Sequence, residues 1–148
     1  MPHDLYIWME RIKSIERDYL ATRLALDRLL KEARRDPTIL TGDLEPRDIV
    51  GASGRLEGTY FIRLFAEFET GLRLYWATIR ETEPPTQHLL DGIAARCNIQ
   101  PNRLAGAHAV REYRNSLVHE RDEGVIPISI AEARGHLCRF FAFLPPVW

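Results

Sequence analysis

The chain has 148 residues, a length that suits a single domain with its own hydrophobic core. Its 45% hydrophobic and 28% charged residues are the proportions of an ordinary water-soluble globular protein, which argues against a disordered chain. The formal net charge of -1 excludes bulk attraction to polyanions, so any contact with nucleic acid has to come from local geometry.

The two cysteines and the N-terminal segment indicate the compartment. Cys97 and Cys138 stand among apolar helix-forming residues and form no C-x-x-C pair, which favours buried free thiols in a reducing environment. Asp4, Glu10 and Arg11 interrupt the apolar N-terminus, which is therefore neither a signal-peptide core nor a membrane span. We expect a cytoplasmic protein with one domain over residues 1–148.

The first predicted helix covers residues 5–35, where apolar residues alternate steps of three and four and form a coiled-coil-like seam. The seam consists of Leu5, Trp8, Ile12, Ile15, Tyr19, Thr22, Leu26, Leu29 and Ala33. Such a seam is too regular for a solvent-facing surface, so we expect it to pack antiparallel along the second helix. The Gly- and Pro-containing segment 41–54 is predicted to be a loop or at most a broken helical turn.

The remaining elements are also predicted to be helical. The second helix covers residues 56–80, a short helix starts behind Thr86 as N-cap, and a fourth helix covers residues 102–120. Ser129 and Glu132 form a capping box that opens the last helix. No segment alternates apolar and polar residues as a strand does. The predicted fold class is all-α, a bundle of four main helices plus a short extra helix.

One segment of the fourth helix carries a recognisable motif. Arg114 is followed directly by the polar Asn115 and, five positions after the arginine, by His119, which gives the pattern R-[polar]-x3-H. Arg103 and His108 have the same spacing, but an apolar leucine follows that arginine. The motif at residues 114–119 resembles the signature of the HEPN domain superfamily. A long first helix, an aromatic-rich second helix and the motif in the penultimate helix extend the resemblance over most of the chain.

Helical geometry separates the motif residues. At about 100° per residue, Asn115 and His119 share a polar stripe with His108 and Glu112, whereas Arg114 falls inside the apolar arc of the helix. A buried guanidinium cannot lose its proton and needs a carboxylate or a bound anion. We therefore expect Arg114 to approach one of two carboxylates on the second helix while leaving donors free towards a cleft; the carboxylates are those of Glu57 and Glu69.

The residue types suit cleavage of RNA by its own 2'-hydroxyl group. That reaction needs a base, an acid and cationic donors for the charge that develops on phosphorus. His119 is a candidate base or acid, Arg114 a bidentate clamp on the phosphate, and Asn115 a group that orients substrate or imidazole. Four neighbours are candidates for binding substrate or supporting these three, namely His108, Arg111, Glu112 and Ser116.

The resemblance implies a function and partners. It implies a metal-independent, RNA-binding endoribonuclease, a hydrolase without cofactor that acts as a homodimer in which two motifs face one cleft. A toxin or a defence or stress ribonuclease fits this description, with an antitoxin as a candidate partner. In one HEPN branch, paired with a nucleotidyltransferase antitoxin, the motif continues as H-x-Y. Here Glu120 and Arg121 follow His119, so that tyrosine is missing and control by its modification is in doubt.

Simpler roles remain open for the same residues. Arg114 is compatible with a purely structural ion pair, and His119 with a helix C-terminal cation favoured by the dipole. His108 and Glu112 have the i,i+4 spacing of metal ligands. His119 lies roughly 16 Å from His108 along the helix axis, too far to share one ion with it, so we expect no metal site. The alternative function is a non-catalytic helical dimer that acts as a binding scaffold, a nucleotide sensor or a toxin-antitoxin partner.

Overall fold

A computed structural model describes residues 2–119 and 124–148. These residues form five helices: α1 (Leu5–Arg35), α2 (Pro46–Ala77), α3 (Thr86–Cys97), α4 (Pro101–His119) and α5 (Ile130–Phe141). The only extended pairing between them is an isolated bridge that joins Asp4 to Val147 near the two chain ends. The predicted all-α bundle is confirmed. The predicted last residue of the fourth helix, Glu120, lies outside the described residues.

Helices α1 and α2 form the antiparallel pair that the regular seam predicts. The Arg11 guanidinium of α1 lies 3.4 Å from the Glu67 carboxylate of α2, and further along α1 Asp18 lies 3.6 Å from Arg63. A later residue of α1 therefore pairs with an earlier residue of α2, which shows that the two helices run antiparallel. The buried positions of α1 all belong to the predicted seam; they are Trp8, Ile12, Ile15, Tyr19 and Ala33.

Helix α2 begins earlier than the sequence predicts. Its first residue, Pro46, lies inside the segment 41–54, so the prediction of a loop there is wrong for the second part of that segment. Pro46 has the fixed φ of a first helical residue, and the backbone N–H of Glu45 donates to the Asp48 carboxylate at 2.8 Å. Ile49 is buried in this first part of the helix. Burial of Ile49 thus helps to offset the unfavourable helix propensity of the glycines.

The starts of α3 and α5 differ in how well the sequence predicts them. Thr86 is not the N-cap of α3 but its first residue, after Pro85; its hydroxyl donates instead to Glu69 at 2.7 Å. The capping box of α5 is confirmed. The Ser129 hydroxyl accepts from the backbone N–H of Glu132 at 3.2 Å, and the Ser129 N–H donates to the Glu132 carboxylate at 3.1 Å.

The core is built largely from aromatic rings. Phe68 of α2 meets Phe140 and Phe141 of α5 edge to face, with ring centroids 5.6 Å and 5.0 Å apart. Trp148 is half-buried and packs edge-on against Tyr75 at 5.7 Å. Four further aromatic side chains are buried, those of Trp8, Tyr75, Trp76 and Phe61.

The thiols follow the prediction in part. Cys97 and Cys138 are both free, but Cys138 is buried while Cys97 is half-exposed, with its sulfur 3.4 Å from the Tyr75 hydroxyl. Burial raises the pKa of the Cys138 thiol, which opposes thiolate formation.

Helix α4 lies antiparallel against α2 and so places the motif on the bundle. Near the end of α4, a Cβ added to Gly58 would lie 3.7 Å from Leu117. One turn earlier, the ring of Tyr113 packs edge to face on Phe61, with centroids 4.9 Å apart. Helix α3 packs beside α2 and α4. Thr86 at the start of α3 donates to Glu69 of α2, and Asp91 further along α3 pairs with His108 of α4.

Candidate functional site

Arg114 occupies the contact between α4 and α2. Its guanidinium carbon lies 4.6 Å from the centroid of the Phe65 ring, and its Nη2 atom lies 3.7 Å from Oε2 of Glu69. The side chain is 22% exposed. The expectation that Arg114 approaches Glu57 or Glu69 is therefore confirmed, and the partner is Glu69.

Glu69 is shared between several donors. Its Oε1 atom accepts from Nε and Nη2 of Arg73, at 3.1 Å and 2.7 Å, and from the Thr86 hydroxyl at 2.7 Å. Burial by itself raises the pKa of Glu69, but the Thr86 and Arg73 hydrogen bonds and the charges of Arg73 and Arg114 outweigh it, so the pKa is below its usual value. Glu69 is therefore an ionised anchor that faces Arg114 with its second oxygen.

The Arg114 guanidinium keeps unused donors. Its distance from Glu69 is that of an ion pair and exceeds a direct hydrogen bond. Its Nε atom is shielded from solvent and has no hydrogen-bond partner in the described part of the chain. Burial lowers the pKa of Arg114, Glu69 raises it and Arg111 lowers it, yet a guanidinium stays protonated at neutral pH. Arg114 is thus a fixed cation, and an orphan buried donor of this kind is rare in folded proteins.

Asn115 and His119 lie on another side of α4. Asn115 is half-buried, and His119, the last residue of the helix, is exposed. The helical repeat puts these two about 40° apart around the axis and places Arg114 about 140° away from His119. Within one chain, the helix therefore does not direct Arg114 and His119 to a single point.

A second polar chain connects α3 to α4. The Nε2 atom of His108 lies 2.7 Å from Oδ1 of Asp91, and Nε of Arg111 donates to Nδ1 of His108 at 3.3 Å. A guanidinium only donates, so Nδ1 is the unprotonated nitrogen and Nε2 carries the hydrogen that Asp91 accepts. Arg111, which is only 15% exposed, is also 3.7 Å from the Glu112 carboxylate. His108 therefore links Asp91 to Arg111.

The other two candidates have different surroundings. Glu112 is 62% exposed and lines a groove of about 590 Å³ between α4, α5 and residues 124–128, which Glu132 and His136 also line. The hydroxyl of Ser116 donates to the backbone carbonyl of Tyr113 at 2.7 Å and is directed back onto its own helix. Of the four supporting candidates, Arg111 lies nearest to Arg114, about 60° away around α4, whereas His108 lies on the stripe of Asn115 and His119.

Sequence reasoning missed several residues at this site. The i,i+4 spacing of Glu69 and Arg73 on α2 was a visible signal for an ion pair. Asp91 had no such signal, because it is 17 positions from His108 and belongs to another helix. Phe65 lies within the aromatic-rich second helix, but its contact with Arg114 joins two helices and has no local signal. Among residues 2–119 and 124–148, no three His, Cys, Asp or Glu side chains form a group that could hold a metal ion.

No family model, curated protein or solved structure matches this chain. Within the described ranges, no helix combines the length and the apolar character that crossing a membrane requires.

Proposed function

We propose that this chain is a metal-independent endoribonuclease of the HEPN type that cleaves RNA as a homodimer. Arg114, Asn115 and His119 are its catalytic residues. The observation that carries the proposal is the setting of Arg114 within the R-[polar]-x3-H pattern. A guanidinium that lies over the Phe65 ring, is 22% exposed and is held by Glu69 at ion-pair distance is a preorganised cation for an oxyanion.

The chemistry assigns one role to each residue. A base takes the proton of the 2'-hydroxyl, the 2'-oxygen attacks the adjacent phosphorus, and the bond from phosphorus to the 5'-oxygen breaks as an acid protonates that oxygen. The products are a 2',3'-cyclic phosphate and a 5'-hydroxyl. Arg114 balances the charge that develops on the phosphate, His119 transfers a proton, and Asn115 orients the imidazole or the substrate.

The placement of these side chains supports dimerisation. A base and an acid are both required, while one chain supplies a single histidine in its motif. Arg114 and His119 also diverge by about 140° around α4, so a second copy has to bring its own motif to the same phosphate. Val118, next to His119, is 47% exposed and offers apolar surface for that contact. The resemblance to HEPN ribonucleases implies the same arrangement.

The test uses purified chain, a labelled RNA and an excess of chelator. Cleavage is expected in chelator, with 2',3'-cyclic phosphate and 5'-hydroxyl ends, and specific activity is expected to fall on dilution below the dimer dissociation constant. His119→Ala is expected to remove the activity. Cleavage that requires a divalent ion, or a fully active monomer, would contradict the proposal. Binding without cleavage by pure wild-type chain would favour the scaffold or sensor alternative.

A further inference from the structure

We propose that Arg111 is a second phosphate-binding side chain beside Arg114, and that His108 and Asp91 hold it in position. This inference rests on the proposed function for the identity of the ligand, an RNA strand. It assigns Arg111 to direct contact with the strand, and His108 and Asp91 to positioning.

The Arg111 side chain is held in one position by hydrogen bonds. Its Nε donates to Nδ1 of His108, and the other imidazole nitrogen is fixed by Asp91 at 2.7 Å. Asp91 lies on α3, so the chain of hydrogen bonds ties the Arg111 guanidinium of α4 to a side chain of α3. A side chain held in this way loses less conformational entropy when it binds an anion.

The positive charges of Arg111 and Arg114 are compensated only in part. Arg111 and Arg114 are one turn apart on α4 and mostly buried, and the charge of Arg111 lowers the pKa of Arg114. Two like charges one turn apart on a helix repel each other, and this repulsion destabilises the free protein. A bound anion would relieve it. Glu69 is engaged by Arg73 and Thr86, so it compensates Arg114 only in part.

Two carboxylates lie near Arg111, those of Asp91 and Glu112. Asp91 is 2.7 Å from Nε2 of His108, and Glu112 is 3.7 Å from Arg111 and mostly exposed to solvent. Neither forms a direct hydrogen bond with the Arg111 guanidinium in the described part of the chain. Arg111 and Arg114, one turn apart on α4, therefore offer donors that suit the several oxygens of a phosphate group better than a single carboxylate.

The experiment measures binding separately from cleavage. The probe is a 2'-O-methyl oligoribonucleotide, which has no free 2'-hydroxyl and cannot be cleaved by the proposed route. Its affinity is measured across a range of salt concentrations for wild type, Arg111→Gln, Arg111→Lys and Asp91→Ala. The matched control is Arg28→Gln, which removes the same charge from an exposed position on α1.

Arg111→Gln is expected to weaken binding about tenfold and to reduce the slope of log affinity against log salt by about 1, because one phosphate contact is lost. Arg111→Lys should keep the slope. Asp91→Ala should keep the slope but weaken binding, since the guanidinium remains charged and loses its support. Arg28→Gln should change neither quantity. Circular dichroism of each variant identifies any that fail to fold.

Three results would overturn the inference: an unchanged slope in Arg111→Gln, an equal loss in Arg28→Gln, or a wild-type chain that does not bind the probe. Failure of the proposed function looks different. In that case unmodified RNA stays intact with wild type, while the probe still binds and Arg111→Gln still reduces the slope.

Discussion

The guanidinium of Arg114 lies over the ring of Phe65, with its central carbon 4.6 Å from the ring centroid. A guanidinium can lie over a ring in this way and still direct N–H donors to Glu69 and to an anion. Lysine carries the same charge but has neither a planar face nor a fork of donors. The arrangement therefore depends on arginine and not only on a positive charge.

Arg114→Lys is expected to abolish RNA cleavage and to lower the free energy of unfolding by about 1 kcal/mol, because the stacking on Phe65 is lost while the charge stays. Urea unfolding and a cleavage assay measure the two effects. Arg134→Lys is the control, since Arg134 forms a 2.9 Å ion pair with Glu16 away from the motif. Equal loss of cleavage in both variants would show that stability alone explains the effect.

His119→Ala is expected to lower the cleavage rate at least 100-fold, given about 10²–10⁴ for a general acid or base, with a change in unfolding free energy within about 0.5 kcal/mol. The small effect on stability follows from the exposed position of His119 at the end of α4. His88→Ala, at an exposed position on α3, is the matched control and should leave cleavage unchanged. A His119→Ala protein that cleaves like the control would remove His119 from the mechanism.

Stability is expected to depend on the ionisation of Glu69. Its pKa in the folded protein is below its usual value of 4.5, so the unfolded chain takes up the proton first as the pH falls. The stability from Glu69 is thus present above pH 4.5 and is lost as the pH falls through the lower pKa of the folded state. Urea unfolding at several pH values should show the difference between wild type and Glu69→Gln shrinking in acid. A difference that stays constant would contradict the ion pair.

Gly71 and Gly54 of α2 should respond oppositely to alanine. A Cβ at Gly71 would lie 2.7 Å from Phe141 and 3.0 Å from Trp8, both buried, so Gly71→Ala is expected to destabilise by about 1–3 kcal/mol through overpacking. A Cβ at Gly54 meets nothing within 4 Å, so Gly54→Ala is expected to stabilise by about 0.5–1 kcal/mol. Thermal melting measures both. Equal shifts in melting temperature would contradict the packing around Gly71.

Local patterns were enough to predict most of the helices. The limits of α1 could be predicted because burial along one face repeats with the period of the helix. The start of α5 could be predicted because its capping box involves residues only three positions apart. The start of α2 was predicted wrongly because the local pattern there does not reveal the tertiary contacts. Glycines disfavour a helix locally, whereas the burial of Ile49, which helps to offset that effect, is a tertiary contact.

By itself, the sequence determined the motif and the need of Arg114 for a carboxylate, since both follow from residue types and helical period. The tertiary structure decided which carboxylate it is. Glu57 and Glu69 lie on the same helix, and the register of α4 against α2 brings only Glu69 into an ion pair with Arg114. The link from Asp91 to Arg111 is likewise a contact between helices, set by long-range packing that no local spacing encodes.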